Sequence, residues 1–226
     1  MFASLDGERI LVVAAHPDDE VLGCGGTIAR HTKAGGDARA LILGHGVTAR
    51  GEDKVALEAL KVSTKAAQAI LGYELVHVMD WPDNRYDTVS LLDIVQSIEA
   101  AIRVCAPTLI LTHHEGDLNI DHQITFRAVV TATRPMAEET VRTILSFETL
   151  SATEWNPGGV PFRPTVYLPF DAEALEAKRV ALKAYAGEMR EYPHPRSLSG
   201  LMIQAHRRGM ESGLERAEAF MLVRTR

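Results

Sequence analysis

Residues 9–26 run Arg-Ile-Leu-Val-Val-Ala-Ala-His-Pro-Asp-Asp-Glu-Val-Leu-Gly-Cys-Gly-Gly. The apolar residues Ile10 to Ala15 end abruptly in His16, Pro17, Asp18, Asp19 and Glu20. A short continuous apolar run bounded this sharply reads as a strand buried on both faces. One imidazole and three carboxylates then crowd the end of that strand. Negative charge there is costly unless something positive accompanies it. A divalent metal is the simplest such partner. Zinc accepts histidine and carboxylate together, and catalytic zinc sites use three protein ligands plus water.

Outward from this stretch, strand-like and helix-like segments alternate. Strands are expected at Ile10–Ala15, Ala38–Leu43, Glu74–Val78, Thr108–Leu111 and Thr143–Ser146. Helices are expected at Val21–Lys33, Glu52–Leu71, Leu91–Val104 and His122–Thr133. The alternation predicts a Rossmann-like, three-layer α/β/α architecture with a mostly parallel sheet and helices on both faces. Right-handed crossovers put the strand carboxyl ends on one edge. After Ser146 the pattern loosens. Trp155-Asn-Pro-Gly-Gly159 is a turn cluster, Thr165–Leu168 a further strand, and Ala172–Met189 and Ser199–Arg208 further helices. With no repeat or dividing linker, residues 1–226 are expected to form a single domain, the part from about 150 onward partly covering the site.

The composition is that of a folded globular chain: 226 residues, 46% hydrophobic and 24% charged. A net charge of −6 with no long basic run argues against a nucleic-acid partner. Cys24 and Cys105 form no Cys-x-x-Cys pair and are read as buried, reduced thiols. Met1 to Glu8 lacks a signal-peptide pattern and no apolar run reaches membrane-spanning length, so a soluble, cytoplasmic protein without a membrane span is expected.

Reactive groups in open α/β sheets gather beyond the strand carboxyl ends. Three segments fit that position: His16–Glu20, Trp81-Pro-Asp-Asn-Arg-Tyr-Asp87, and His113-His-Glu-Gly-Asp-Leu-Asn-Ile-Asp-His122. His16 and Asp19 lie three apart across a turn stiffened by Pro17, so both face one ion, and His122 supplies a third ligand. Asp18 is then free to take a proton from a bound water. Glu20 is read as serving the helix dipole, as an Asp-Asp-Glu run before a helix often does. The glycines at 23, 25 and 26 do not make a dinucleotide fingerprint, because position 28 is isoleucine and the acidic run repels a pyrophosphate. They are expected to allow close helix–sheet packing.

Ala15-His-Pro-Asp-Asp-Glu20 followed by Gly-x-Gly-Gly resembles the opening motif of the PIG-L/LmbE-like de-N-acetylases, and Gly116-Asp-Leu-Asn-Ile-Asp-His122 resembles their second metal motif. Ala217-Glu-Ala-Phe220 is similar to the family's tail. The resemblance implies zinc, or another divalent transition metal, on His16, Asp19 and His122, with Asp18 as general base and then acid. Many members carry His-Pro-Asp-His, whose first histidine supports the oxyanion. Here Asn119 stands in that place, so zinc, Asn119 or another histidine must supply the contact. His194, in Tyr192-Pro-His-Pro-Arg196, is the candidate among the other histidines.

The expected reaction is hydrolysis of an N-acetyl group on an amino-sugar-containing small molecule: free sugar, glycoconjugate or nucleotide-sugar. The resemblance places an arginine at Arg50 and an aspartate at Asp83 on sugar hydroxyls, with Arg85 beside them. Arg196 and Arg208 are candidates for a substrate phosphate. Two alternatives share the fold: an amidase on a non-sugar N-acyl conjugate, and a non-catalytic carbohydrate-binding protein. A homo-oligomer is compatible with each.

Overall fold

Strand β1 (Arg9–Ala14) lies near the middle of a seven-stranded sheet of order β3-β2-β1-β4-β5-β7-β6 in a computed structural model that describes residues 5–46 and 54–226. The other strands are β2 (Asp37–Gly44), β3 (Glu74–Trp81), β4 (Leu109–His113), β5 (Thr143–Phe147), β6 (Val166–Pro169) and β7 (Ala217–Thr225). β1 pairs in parallel with β2 on one side and β4 on the other, and β2–β3 and β4–β5 are also parallel. Only β7 runs antiparallel, paired with both β5 and β6. The mostly parallel three-layer fold is therefore as the alternation predicts. The chain order reverses between β1 and β4, and crevices at such switch points are where open α/β sheets bind ligands.

Strand period sorts the core into two layers. Ile10 and Val12 face one side of β1, with α1 (Asp19–Lys33), α2 (Lys54–Leu71), α5 (Ala172–Ala184) and α6 (Leu198–Ser212). Leu11 and Val13 face the other, against α3 (Leu91–Cys105) and α4 (Ile120–Ala132). Every residue of β1 from Ile10 to Ala14 is buried, as a strand covered on both faces requires.

α1 is broken at Cys24, whose backbone (φ −147°, ψ 20°) is not helical. The i→i−4 bond expected from Gly26 to Leu22 is replaced on both sides. The Gly26 and Thr27 amides donate to the Glu218 carboxylate at 2.9 and 2.7 Å, and the Leu22 carbonyl accepts from Lys178 Nζ at 2.8 Å. A Cβ on Gly23 would meet the Phe147 ring at 2.2 Å and one on Gly26 the Phe170 ring at 2.9 Å. Close packing on these rings accounts for both glycines.

The C-terminal third departs most from the sequence expectation. β7 falls where the pattern gives no strand, because a buried charge, Glu218, interrupts its apolar residues. α5 ends at Ala184 instead of Met189, since Tyr185 leaves the helix and donates its hydroxyl to Glu20. β3 continues past Val78 to Trp81, carrying the chain directly to Asp83.

Candidate metal centre

β1 ends at Ala14, and the turn after it presents His16, Asp18 and Asp19. β4 ends at His113, and α4 begins two residues before His122. The two ends are neighbours in the sheet, which brings segments about a hundred residues apart together. His16, Asp19 and His122 are all buried, with potential ligand atoms within 4.8 Å of one another. Asp19 Oδ2 lies 3.4 Å from His16 Nδ1 and 3.2 Å from His122 Nε2. Ligand atoms about 2.1 Å from a tetrahedral ion are about 3.4 Å apart, so these separations fit a divalent cation. Asp19 Oδ1 and the inward Nε2 of His122 are buried without an aligned hydrogen-bond partner. Buried polar atoms in that state need an explanation, and a metal ligand set provides one.

The outward nitrogens of both histidines face carboxylates. His16 Nε2 lies 2.9 Å from Asp121 Oδ2 and 3.3 Å from Asp83 Oδ1. His122 Nδ1 lies 3.2 Å from Asp117 Oδ1. Such carboxylate–histidine pairs set the tautomer that leaves the inner nitrogen's lone pair for a cation. Asp121 is itself fixed by the amides of Asn84 and Tyr86, at 2.6 and 2.9 Å, and Asp117 by the Asn119 amide and the Thr153 hydroxyl, at 2.9 and 2.7 Å. Neither Asp117 nor Asp121 has an assigned role in the sequence reading. Both stand inside the quoted 116–122 motif, which was the signal available.

The electrostatics describe a site built for positive charge. Burial works against a charged His16, yet the Asp121 hydrogen bond and the Asp19 and Asp83 charges raise its pKa to about 10. Burial opposes charge on His122 too, but Asp19 and Asp117 raise it to about 9. Burial would lift Asp19, and the His122 charge overcomes this and holds it well below the usual carboxylate range. His113 behaves differently. Its Nε2 accepts the Ala15 amide at 2.9 Å, and burial, then repulsion from His122, takes its pKa down to about 3. It is a neutral ring stacked on His122, with centroids 3.8 Å apart.

Asp18 has a backbone φ of 106°, a left-handed conformation that costs a non-glycine residue about 1–3 kcal/mol. Its amide donates to Glu20 Oε2 at 3.0 Å. Glu20 does not simply serve the helix dipole: it is fully buried and accepts the Tyr73 and Tyr185 hydroxyls at 3.0 and 2.9 Å. Burial raises the Glu20 pKa to about 7. Burial also raises the Asp18 carboxyl, opposed by the Arg196 guanidinium 3.0 Å away.

Asn119 caps α4, its side-chain oxygen accepting the Asp121 amide at 2.8 Å and its Nδ2 donating to Asn84 Oδ1 at 3.2 Å. His194 packs edge-on to Trp155, and its Nδ1 accepts the Arg196 amide at 3.1 Å, so it is linked to Asp18 through Arg196. Asp83 is buried behind His16, while Arg85 is exposed before the 3-10 turn Tyr86–Thr88. Arg50 lies outside the described residues. Arg208 is not available for a phosphate, because Glu148 binds it at two nitrogens and Glu211 at a third, at 2.6–2.7 Å.

Fold and cluster together define an open α/β protein with a candidate metal centre at its topological switch point. The chain belongs to the PIG-L family: the GlcNAc-PI de-N-acetylase model matches residues 11–133, more than half its length. It is 28% identical over 181 residues to the uncharacterized deacetylase YaiS of Escherichia coli K12, covering 78% of this chain and 89% of that one. It is 32% identical over 111 residues to the diacetylchitobiose deacetylase of Thermococcus kodakarensis, covering 47% of this chain and 40% of that one. The crystal structure of GalB, the 4-carboxy-2-hydroxymuconate hydratase of Pseudomonas putida KT2440, superposes with a TM-score of 0.76 at 23% identity over 97% of both chains. That likeness speaks for the fold alone.

Proposed function

We propose that the protein is a divalent-metal-dependent N-deacetylase, with zinc as the metal, that hydrolyses the N-acetyl group of an amino-sugar-containing small molecule. The observation that carries the reading is the convergence of His16, Asp19 and His122 with a separate carboxylate, Asp18, beside them. The family's activity on an N-acetylated amino sugar and the named activity of the Thermococcus relative support the substrate class.

A divalent cation on His16, Asp19 and His122 would make a bound water more acidic and polarise an amide carbonyl. The protein's own part is proton traffic and positioning. Asp18 takes a proton from the attacking water, then returns it to the nitrogen as the C–N bond breaks, giving acetate and a free amine. Burial, which raises Asp18's proton affinity, suits a group that must both accept and return a proton. Asp121 and Asp117 hold the two ligand histidines in one tautomer. For the developing oxyanion the reading keeps Asn119 and His194 as donors. Asn119 must leave Asn84 to reach it, whereas His194 accepts at Nδ1 and so carries its neutral-form proton on Nε2. Arg50, Asp83 and Arg85 are assigned to sugar hydroxyls. The same reading takes residues 1–226 as one cytoplasmic deacetylase domain; among the described residues, no helix is long and apolar enough to cross a membrane.

The test is acetate and amine release from N-acetylglucosamine, N,N′-diacetylchitobiose and UDP-N-acetylglucosamine by zinc-loaded protein. Asp18→Asn is expected to keep its zinc and lose about 10²–10⁴ in kcat, the usual worth of general acid–base catalysis. No acetate from any of the three, or an unchanged kcat in the variant, contradicts the proposal.

A further inference from the structure

We propose that Arg196 is the positioning residue for Asp18: a guanidinium delivered by the α5–α6 loop that fixes the carboxylate of the general base through one oxygen. The inference rests on the deacetylase reading, in which Asp18 moves the proton. Asp18's backbone is already secured by Glu20, but an aspartate side chain still turns about two bonds. A base that must accept a proton from one atom and return it to another needs that rotation stopped. Arg196 Nη1 lies 3.0 Å from Asp18 Oδ2, and the pair is largely removed from water, with side-chain exposures of 20% and 3%.

The guanidinium is braced as well as paired. Arg196 Nε donates to Ser151 Oγ at 2.8 Å and lies 3.3 Å from the Leu150 carbonyl, so its plane is set by the segment after β5. Its backbone is held in turn. The Arg196 amide donates to His194 Nδ1 at 3.1 Å, the Arg190 amide donates to the Arg196 carbonyl at 3.2 Å, and His194 leans on Trp155. Ser197 then caps α6, its side chain accepting from the Gly200 amide at 2.9 Å. The Tyr192-Pro-His-Pro-Arg196 stretch therefore props one guanidinium against Asp18. All of it lies beyond residues 11–133, which the family model matches. A lysine cannot reproduce the arrangement, because an ammonium cannot bind Asp18 and Ser151 from the two edges of one rigid plane.

The experiment compares wild type, Arg196→Met, Arg196→Lys and Asp18→Asn, each with its zinc content measured. The first readout is acetate release from N-acetylglucosamine. Arg196→Met is expected to lose about 10² in kcat, the scale of a misplaced catalytic group, with KM changed far less. Arg196→Lys recovers part of the loss, and added guanidinium ion partly restores Arg196→Met. The second readout is amide hydrogen exchange across residues 190–197, which needs no substrate. Arg196→Met and Asp18→Asn should each speed exchange there, and the double variant should add little further. Unchanged kcat in Arg196→Met beside a damaged Asp18→Asn overturns the positioning role while leaving the deacetylase reading intact. Equal losses in kcat and zinc content also overturn it, since they mark a structural role. If wild type releases no acetate from N-acetylglucosamine, N,N′-diacetylchitobiose or UDP-N-acetylglucosamine, the deacetylase reading fails. The exchange comparison then decides the anchoring alone, and independent, additive effects of the two variants refute it.

Discussion

His16 performs two tasks with its two ring nitrogens: Nδ1 turns inward to Asp19, and Nε2 turns outward to Asp121 and Asp83. The outward hydrogen bond decides whether the inward nitrogen has a lone pair to give. Asp121→Asn removes that carboxylate, and loss of such a partner typically weakens metal binding about 10–100-fold. Competition titration with a zinc chelator should show a drop of that size, with the fold unchanged by circular dichroism. An unaltered affinity would mean that Asp121 does not govern His16. At this scale the sequence was legible where chemistry coincides with local spacing. His16, Asp18 and Asp19 share one turn, and His122 sits in the first turn of one helix. Asp121 was not legible as a partner because its contact, with a histidine 105 residues earlier, exists only once two strands are side by side. Arg196 was read as a phosphate contact, since a sequence does not tell which buried carboxylate a distant arginine will meet.

The break in α1 is the telling feature at the scale of elements. Helix α1 turns at Cys24, and the two amides and one carbonyl released there are answered by Glu218 from β7 and Lys178 from α5. Glu218 and Lys178 also pair directly at 2.6 Å with side chains only 7% and 10% exposed. Glu218→Ala would leave a buried ammonium without its carboxylate and two amides without an acceptor. Breaking a buried pair from one side costs about 3–5 kcal/mol. Urea unfolding should show a loss of that order, and a loss below about 1 kcal/mol would place the helix's support elsewhere. The helices and parallel strands of the first two-thirds were readable because their apolar periods are long and uninterrupted. β7 was hidden by the very residue that matters most in it, a buried glutamate in a strand. The glycines at 23 and 26 were rightly read as packing residues, although the rings they accommodate, Phe147 and Phe170, were not identifiable from spacing.

On the scale of the whole molecule, the switch between β1 and β4 gathers the site, and the antiparallel β7–β6 addition carries the chain back to support it. Without metal, the clustered carboxylates are balanced by protons on His16 and His122, with pKa values raised to about 10 and 9 against an ordinary value near 6.5. Groups raised on folding contribute stability that is complete below about pH 6.5 and lost as pH climbs through the folded values. The melting temperature of chelator-treated protein should therefore fall between pH 6.5 and 10. With zinc present it should rise over the lower part of the same window, because the metal competes with those protons. A flat profile in the metal-free protein would contradict the charge balance described. A hydratase on the same fold is a reminder that fold alone does not choose a reaction, which is why product identity, not substrate loss, must be measured.

The claim beneath all of this is that His16, Asp19 and His122 together hold one divalent cation. Anomalous diffraction at the zinc edge on crystals of the zinc-loaded protein addresses it directly. The account predicts a single strong peak about 2.0–2.2 Å from His16 Nδ1, an Asp19 carboxylate oxygen and His122 Nε2. No peak at that point, or zinc bound only elsewhere on the molecule, would contradict it.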